Sequence, residues 1–445
     1  MSNKGTNIFS QIVSHIDKNT FNSSVRKYNG ERHAKGFSCW EELVSMLFCH
    51  LGKAQTLREI CGGLATCMGK LSHLGLHESP KRSTLSYANK HRPYQIFEET
   101  FYRTLAHAQS SIKGKRTFRF KNKLFSMDAT VIDLCLSLFD WAKFRSTKGA
   151  VKLHLLLDHD GYLPAFAHIT DGKTHEVTVA RDIIANKFSF PAHSIIVFDR
   201  GYTDYEQFAS WCDQDIYFVT RMKSNATYDI VDTNQIPKNS NILRDEIIQF
   251  NGTVTSEKCE YDLRRIELWD EENQQVIVLL TNHLTFGSTT IALIYKERWQ
   301  IEIFFKTIKQ NLKIKTFVGT SANALKIQIW TALLVILILK ILKAQSSFRW
   351  SLSNLVAMLR FNLFTYRDLV QWLNDPYQSP PFVPDDQLSM FDLGQHRGGL
   401  LHPHTENLSN LTCIYCFYQL TQFILDSSED ILHCCFLWFS VLILI

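Results

Sequence analysis

Over residues 8–51 apolar side chains return at helical spacing, with Ile8, Ile12, Val13 and Ile16 first and Leu43, Met46 and Leu47 later. This predicts helices there. Further short helices are predicted over 57–69 and 84–91. The second lies in the string HESPKRSTLSYANKHRP, with Ser83 as a candidate N-cap and Pro93 as the stop. It carries Lys81, Arg82, Lys90 and Arg92 near its ends, the form a helix-turn-helix reader of DNA would take, although short basic helices also occur on ordinary surfaces.

The period changes after residue 120. KLFSMDATVIDL (123–134) reads as a strand with polar residues at its centre, and AVKLHLLLD (150–158) with GYLPAFAHI (161–169) reads as a hairpin turning at Asp160 and Gly161. A helix over 174–186, a buried strand over 194–199, a helix over 205–213 and a strand over 216–222 are predicted next. Three strands, helix, strand, helix, strand is the order of a ribonuclease H-like sheet, so an α/β catalytic core preceded by a helical region is expected. Residues 228–288 alternate like short antiparallel strands, with no convincing helix, and are expected to form a β-rich insertion. A long helical pattern covers 289–313 and an apolar one surrounds 330–339. Helices continue to about 373, before PYQSPPFVPDD (376–386) marks a loop.

Composition narrows the class. With 445 residues, 45% hydrophobic and 20% charged, the chain has material for packed cores, and disordered or low-complexity classes are excluded. The expected organisation is a helical, basic DNA-binding region over 1–120, a catalytic domain over 121–345, a helical region over 346–395 and an apolar, Cys-rich tail over 396–445. Charge supports that order. Residues 1–120 hold 18 Lys and Arg against 8 Asp and Glu, a net +10, whereas 396–445 carry −3 and the remainder −2 of the overall +5. A polyanion-binding arm ahead of a carboxylate-bearing body would look like this; so would a solvated basic surface.

The 11 Cys are an odd number without a repeating spacing, and residues 1–10 are polar, so a reducing cytoplasm is expected. Cys413, Cys416, Cys434 and Cys435 invite a zinc reading, yet the second pair is adjacent and lacks ribbon spacing; an appended segment outside the fold is the preferred reading. The apolar runs 330–339 and 431–445 fall short of the ~20 residues needed to span a bilayer, so the first is expected to be a core helix and no membrane partner is expected. No HExxH string and no P-loop string occurs, which leaves zinc-peptidase and nucleotide-hydrolase readings without support.

Three acidic residues stand in apolar surroundings: Asp128 inside a predicted strand, Asp199 at the end of a buried one, and Glu302 in a helix beside Ile301, Ile303 and Phe304. Each needs a cation, a hydrogen-bond partner or a metal. Singly they read as salt-bridged or capping residues. Together, on one inferred sheet and its helix, they favour a shared site for hard divalent ions such as Mg2+ or Mn2+. Tyr295, Arg298, Glu302 and Lys309 follow one another at offsets of 3, 4 and 7, so they fall on one helix face, and Arg, Lys and Tyr around such a carboxylate suit phosphate contacts. Asp133 is expected on the opposite strand face and Asp140 beyond the strand. Lys143, Arg145 and Lys148 fit flanking DNA or a solvated loop equally, His175 and Glu176 fit a helix start capped by Thr174, and Trp299 is read as core in preference to a base-stacking wedge.

The string formed by Tyr295, Arg298, Glu302 and Lys309, with SMDATVIDL around Asp128 and VFDRGYTDY around Asp199, Gly201 and Tyr202, resembles the bacterial DDE transposases of the insertion-sequence IS-four family. The resemblance covers roughly residues 121–343, including the β-rich insertion between the second and third acidic residues. It implies that Asp128, Asp199 and Glu302 are catalytic and hold two Mg2+ or Mn2+ ions, that Tyr295, Arg298 and Lys309 grip phosphates, and that the protein binds terminal inverted repeats, cuts DNA and joins the ends to a target. It also implies a homodimer in the synaptic complex and a bacterial, nucleoid-associated location. Two other expectations stay open beside it: a metal-dependent nuclease of the same fold, and a decayed transposase that only binds DNA.

Overall fold

The computed structural model describes residues 6–377 apart from 33, 68–69, 113–116, 146–147, 185–186 and 313–316. The tail over 396–445 and its cysteines, and most of the 376–386 loop, lie outside the described residues. The described residues belong to one compact unit.

Among the described residues six α-helices come first: α1 (Ile8–Val13), α2 (Lys18–Lys27), α3 (Cys39–Leu51), α4 (Leu57–Ala65), α5 (Arg82–His91) and α6 (Gln95–Ser111). Ser38 and Glu41 form a reciprocal capping box at the start of α3, and every residue of that helix is buried. Helix α5 begins at Arg82, with Lys81 at its N-cap position and no side-chain cap, so Ser83 is inside the helix and does not cap it. Arg92, expected on a DNA-reading face, is instead buried: its guanidinium donates to Glu42 at 3.0 Å and to the carbonyl of Ser38. An arginine whose charge is consumed inside the core cannot meet phosphate.

The sheet contains β1 (Leu124–Leu134), β2 (Lys143–Arg145), β3 (Lys148–Asp158), β4 (Leu163–Asp171), β5 (Ile195–Phe198), β6 (Tyr217–Arg221), β7 (Tyr228–Thr233), β8 (Ile242–Phe250), β9 (Leu263–Asp270) and β10 (Gln275–Thr281). Its order is β2-β3-β1-β5-β6-β10-β9-β8-β7, with β4 paired to β3. β1, β5 and β6 are parallel, β3 runs antiparallel to β1, and β4 pairs antiparallel with β3 on its other side. The hairpin turns where expected, with Gly161 at φ 85° and Tyr162 at φ 54°. The strands over 228–288 continue the sheet through the antiparallel pairing of β10 with β6, and one short helix, Thr253–Lys258, interrupts them where none was expected.

The helix expected over 174–186 is present but irregular. Among the described residues Glu176–Thr178 is α-helical and Val179–Ile184 makes a π-helical turn, and Thr174 donates to Asp171 without capping anything. Glu176 is held by Lys152 at 2.8 Å. Taking Glu176–Thr178 as α7, the later helices are α8 (Tyr205–Asp213), α9 (Thr253–Lys258), α10 (Ser288–Glu297), α11 (Trp299–Asn311), α12 (Ala322–Gln345), α13 (Leu352–Asn362) and α14 (Leu369–Asn374).

Helix α12 is 24 residues long, more than twice the apolar run that announced it, and apolar all round, as a helix enclosed on every side must be. Among the described residues it is the helix long and apolar enough to cross a membrane, yet most of it is buried inside the protein. Trp330 meets Phe101 and Tyr102 of α6 at 5.3 and 5.8 Å, and buried His50 of α3 reaches the Thr331 hydroxyl at 3.0 Å. One core therefore joins the N-terminal helices, α11 to α14 and one face of β1, β3 and β4. A second core fills the opposite face beneath α8, and a third lies between β5, β6, β9, β10 and α10.

Candidate active site

β1 and β5 are in parallel register, with Met127 opposite Phe198. Asp128 and Asp199 each follow that pair, so they stand side by side where β5 ends. Alternation puts Asp128 on the sheet face shared with Leu155, opposite the face of Met127. Asp199 precedes the turn Arg200–Tyr202, and its side chain makes no capping hydrogen bond there.

Helices α10 and α11 bring the third carboxylate. The expected single helix is broken at Arg298, where α10 leaves the third core and α11 enters the first; Arg298 keeps helical φ and ψ of −51° and −32°. The spacing from Arg298 to Glu302 survives the break, and Nη2 of Arg298 donates to Oε1 of Glu302 at 2.7 Å. Nη1 of the same guanidinium lies 3.6 Å from Oδ2 of Asp128. Arg298 thus bridges the strand carboxylate and the helix carboxylate. Tyr295, nine-tenths buried, is flanked by two guanidinium groups, Arg298 at 5.8 Å and Arg221 at 5.6 Å from its ring centre. Arg221, at the end of β6, carried no sequence signal.

Burial pushes the Asp128 carboxyl up to about 6; the backbone N–H of Ala129 and Arg298 oppose that rise, while Glu302 and Asp199 add to it. That Asp199 and Glu302 both act on Asp128 places the three acidic groups in one electrostatic neighbourhood. Burial also raises the Tyr202 phenol, whose hydroxyl is buried without a hydrogen-bond partner and feels Asp128, Glu176 and Asp199. Lys309 donates to the carbonyl of Val131 at 2.8 Å, so it ties α11 to β1 in this structure. Trp299, expected in the core, is 57% exposed, and Ile303 one turn later is 44% exposed. Asp133 is exposed on the far strand face and Asp140 opens a turn beyond the strand. The side chains of Lys143, Arg145 and Lys148 lie outside the described residues.

Among the described residues no three His, Cys, Asp or Glu side chains are grouped to hold a metal ion. The donor chemistry nevertheless fits a hard cation, because Asp128 and Glu302 already share one positive group, the Arg298 guanidinium, and Asp199 stands beside Asp128.

Residues 119–338 match the family model described as "Transposase DDE domain", and residues 4–77 match "Domain of unknown function (DUF4372)". The stretch that matches the transposase model takes in all three carboxylates, together with Tyr295, Arg298 and Lys309. The chain is similar to "Putative transposase y4zB" of Sinorhizobium fredii, with 29% identity over 306 residues that span 68% of this chain and 83% of that protein. It is also similar to "Probable transposase for insertion sequence element IS5377" of Geobacillus stearothermophilus, with 27% identity over 266 residues, 59% of this chain and 68% of that one. Among solved structures, a piggyBac transposase synaptic complex with hairpin DNA aligns over 91% of this chain and 87% of its own at a TM-score of 0.39 and 9% identity.

Proposed function

We propose that this protein is an insertion-sequence transposase of the IS-four type, which binds terminal inverted repeats, cuts DNA at them and joins the freed ends to a target. The observation that carries the reading is that Arg298 bridges Asp128 and Glu302, with Asp199 following the strand pair beside Asp128, within a stretch that matches a transposase DDE domain. The strand order, with β1, β5 and β6 parallel and β3 antiparallel beside β1, supports a ribonuclease H-like core.

In this reading Asp128, Asp199 and Glu302 hold Mg2+ or Mn2+. When bound, such ions lower the barrier to phosphodiester attack by activating the nucleophile and stabilising the leaving oxygen. The chain's own residues orient the substrate: Arg298, stacked on Tyr295, offers a planar fork to a phosphate, and Lys309 lies two turns along the same helix. The basic residues of the first 120 positions hold DNA, and two chains assemble on paired ends in the bacterial cytoplasm.

The test is cleavage of a labelled duplex carrying the element's own terminal repeat, with Mg2+. The unaltered chain is expected to cut at the repeat and to join a pre-cut 3′ end to target DNA. Asp128→Asn is expected to bind the repeat with unchanged affinity and to cut at least 100-fold more slowly. Cutting without joining would make the protein a nuclease; binding without cutting would make it a DNA-binding relic.

A further inference from the structure

Beside the three carboxylates lies a second buried polar chain. Ser126, fully buried on β1, is two residues before Asp128 and shares its strand face. Its hydroxyl is 2.7 Å from Nε2 of His159, which is 7% exposed and follows the end of β3. The backbone N–H of His159 donates to the Leu124 carbonyl at 3.0 Å, so the ring is anchored to the start of β1. Nδ1 of His159 faces Oε2 of Glu297 at 3.8 Å, within ion-pair range, and makes no hydrogen bond of its own. The same Glu297 oxygen accepts from the Tyr162 hydroxyl at 3.2 Å, and Tyr162 in turn is 3.2 Å from the Thr117 hydroxyl. Glu297 is the last residue of α10, and the next residue is Arg298.

Ser, His and Glu in this order have the form of a nucleophile with its base. Ser126 is inaccessible, however, so no substrate reaches it, and the chain must act on the protein itself. A carboxylate facing Nδ1 favours a proton there, which leaves Nε2 to accept from Ser126. The line therefore runs from the strand that carries Asp128 to the residue that precedes Arg298, and it fixes the break between α10 and α11 against β1. Arg298 reaches Asp128 at only 3.6 Å, so a displacement of about 1 Å at Glu297 separates them, and displacements of that size are costly in catalysis.

We propose that Ser126, His159 and Glu297 are positioning residues that set Arg298 and Glu302 opposite Asp128 for phosphodiester cleavage. This rests on the function proposed above. Glu297→Gln keeps the size of the side chain, and Glu297 is partly exposed, so the variant folds. His159→Gln retains a group able to bond Ser126. Each is expected to lower the single-turnover rate of end cleavage on the order of tenfold, with affinity for terminal-repeat DNA within about twofold of the unaltered chain. The double variant is expected to be no slower than the worse single one, because both break the same line. Amide hydrogen exchange over 295–302 is expected to quicken in all three.

Unchanged rates in folded single variants, or single effects that multiply in the double, would overturn the proposal. Should the unaltered chain fail to cut DNA, the proposed function falls and the positioning role falls with it. Cutting by the unaltered chain and by both variants alike removes the positioning role alone.

Discussion

Arg298 is one residue with three tasks in view: it meets Glu302, meets Asp128 and covers the Tyr295 ring. Its removal leaves two carboxylates facing one another without a counter-charge. Arg298→Ala is therefore expected to raise the Asp128 pKa further above about 6 and to slow cleavage at least tenfold; an NMR titration of the Asp128 carboxyl checks the first part. A lysine at this position restores charge but not the planar fork, so Arg298→Lys should recover only part of the rate. Trp299 belongs to a different class. Being 57% exposed, it contributes little packing, and Trp299→Ala is expected to shift unfolding free energy by no more than about 0.5 kcal/mol in urea titrations. A fall in cleavage by that stable variant would mark the indole as a DNA contact.

At the scale of elements, what could be read in advance follows from which signals are local. The order β1, β3, β4, β5, β6 was legible because a buried strand and an amphipathic helix each announce themselves within ten residues; β2, three residues long, was not. The meeting of Asp128 with Asp199 was inferable from the same order. The break at Arg298 was not, since it arises where one helix passes between two cores formed by distant segments. Arg92 misled for a similar reason: its buried partner Glu42 is fifty residues away, and the string around it looks like a solvated basic helix. Trp299 misled because an aromatic residue beside apolar neighbours reads as core whichever way it points.

The β8 and β9 pair hides a further example. Asp245 and Arg264, almost fully buried, form a bidentate ion pair with contacts of 2.6 and 2.7 Å, and Arg265 is held by Glu246 and Glu267. Arg264→Met strands the Asp245 charge and is expected to cost about 3–5 kcal/mol in chemical denaturation. The double change Arg264→Met with Asp245→Leu should recover most of that loss.

For the molecule as a whole, buried histidines set the response to acid. Burial holds His50, His154, His168 and His283 down to about 4, each well below the ordinary 6.5. Between pH 6.5 and 4 the unfolded chain binds protons that the folded chain refuses, so stability is lost as pH falls through that window. For fully buried His50 the shift corresponds to about 3 kcal/mol. Asp128 and Glu42, raised to about 6 and about 7, act in the opposite sense. With four histidines against two carboxyls, Tm is expected to fall steadily between pH 7 and pH 5. His50→Gln should flatten that fall, measured by scanning calorimetry.

Helix α12 also governs the order in which the protein can be made. Helices α3 and α6 leave the ribosome roughly 270 and roughly 210 residues ahead of the helix that covers them, intervals of roughly ten to fifty seconds at common elongation rates. Throughout it the front of the chain carries an apolar surface with no counterpart. A reading-frame break anywhere before residue 322 therefore yields a polypeptide that cannot close its first core. Such a fragment would be cleared or would aggregate, and shortened copies would make poor competitors for the full-length protein at DNA ends.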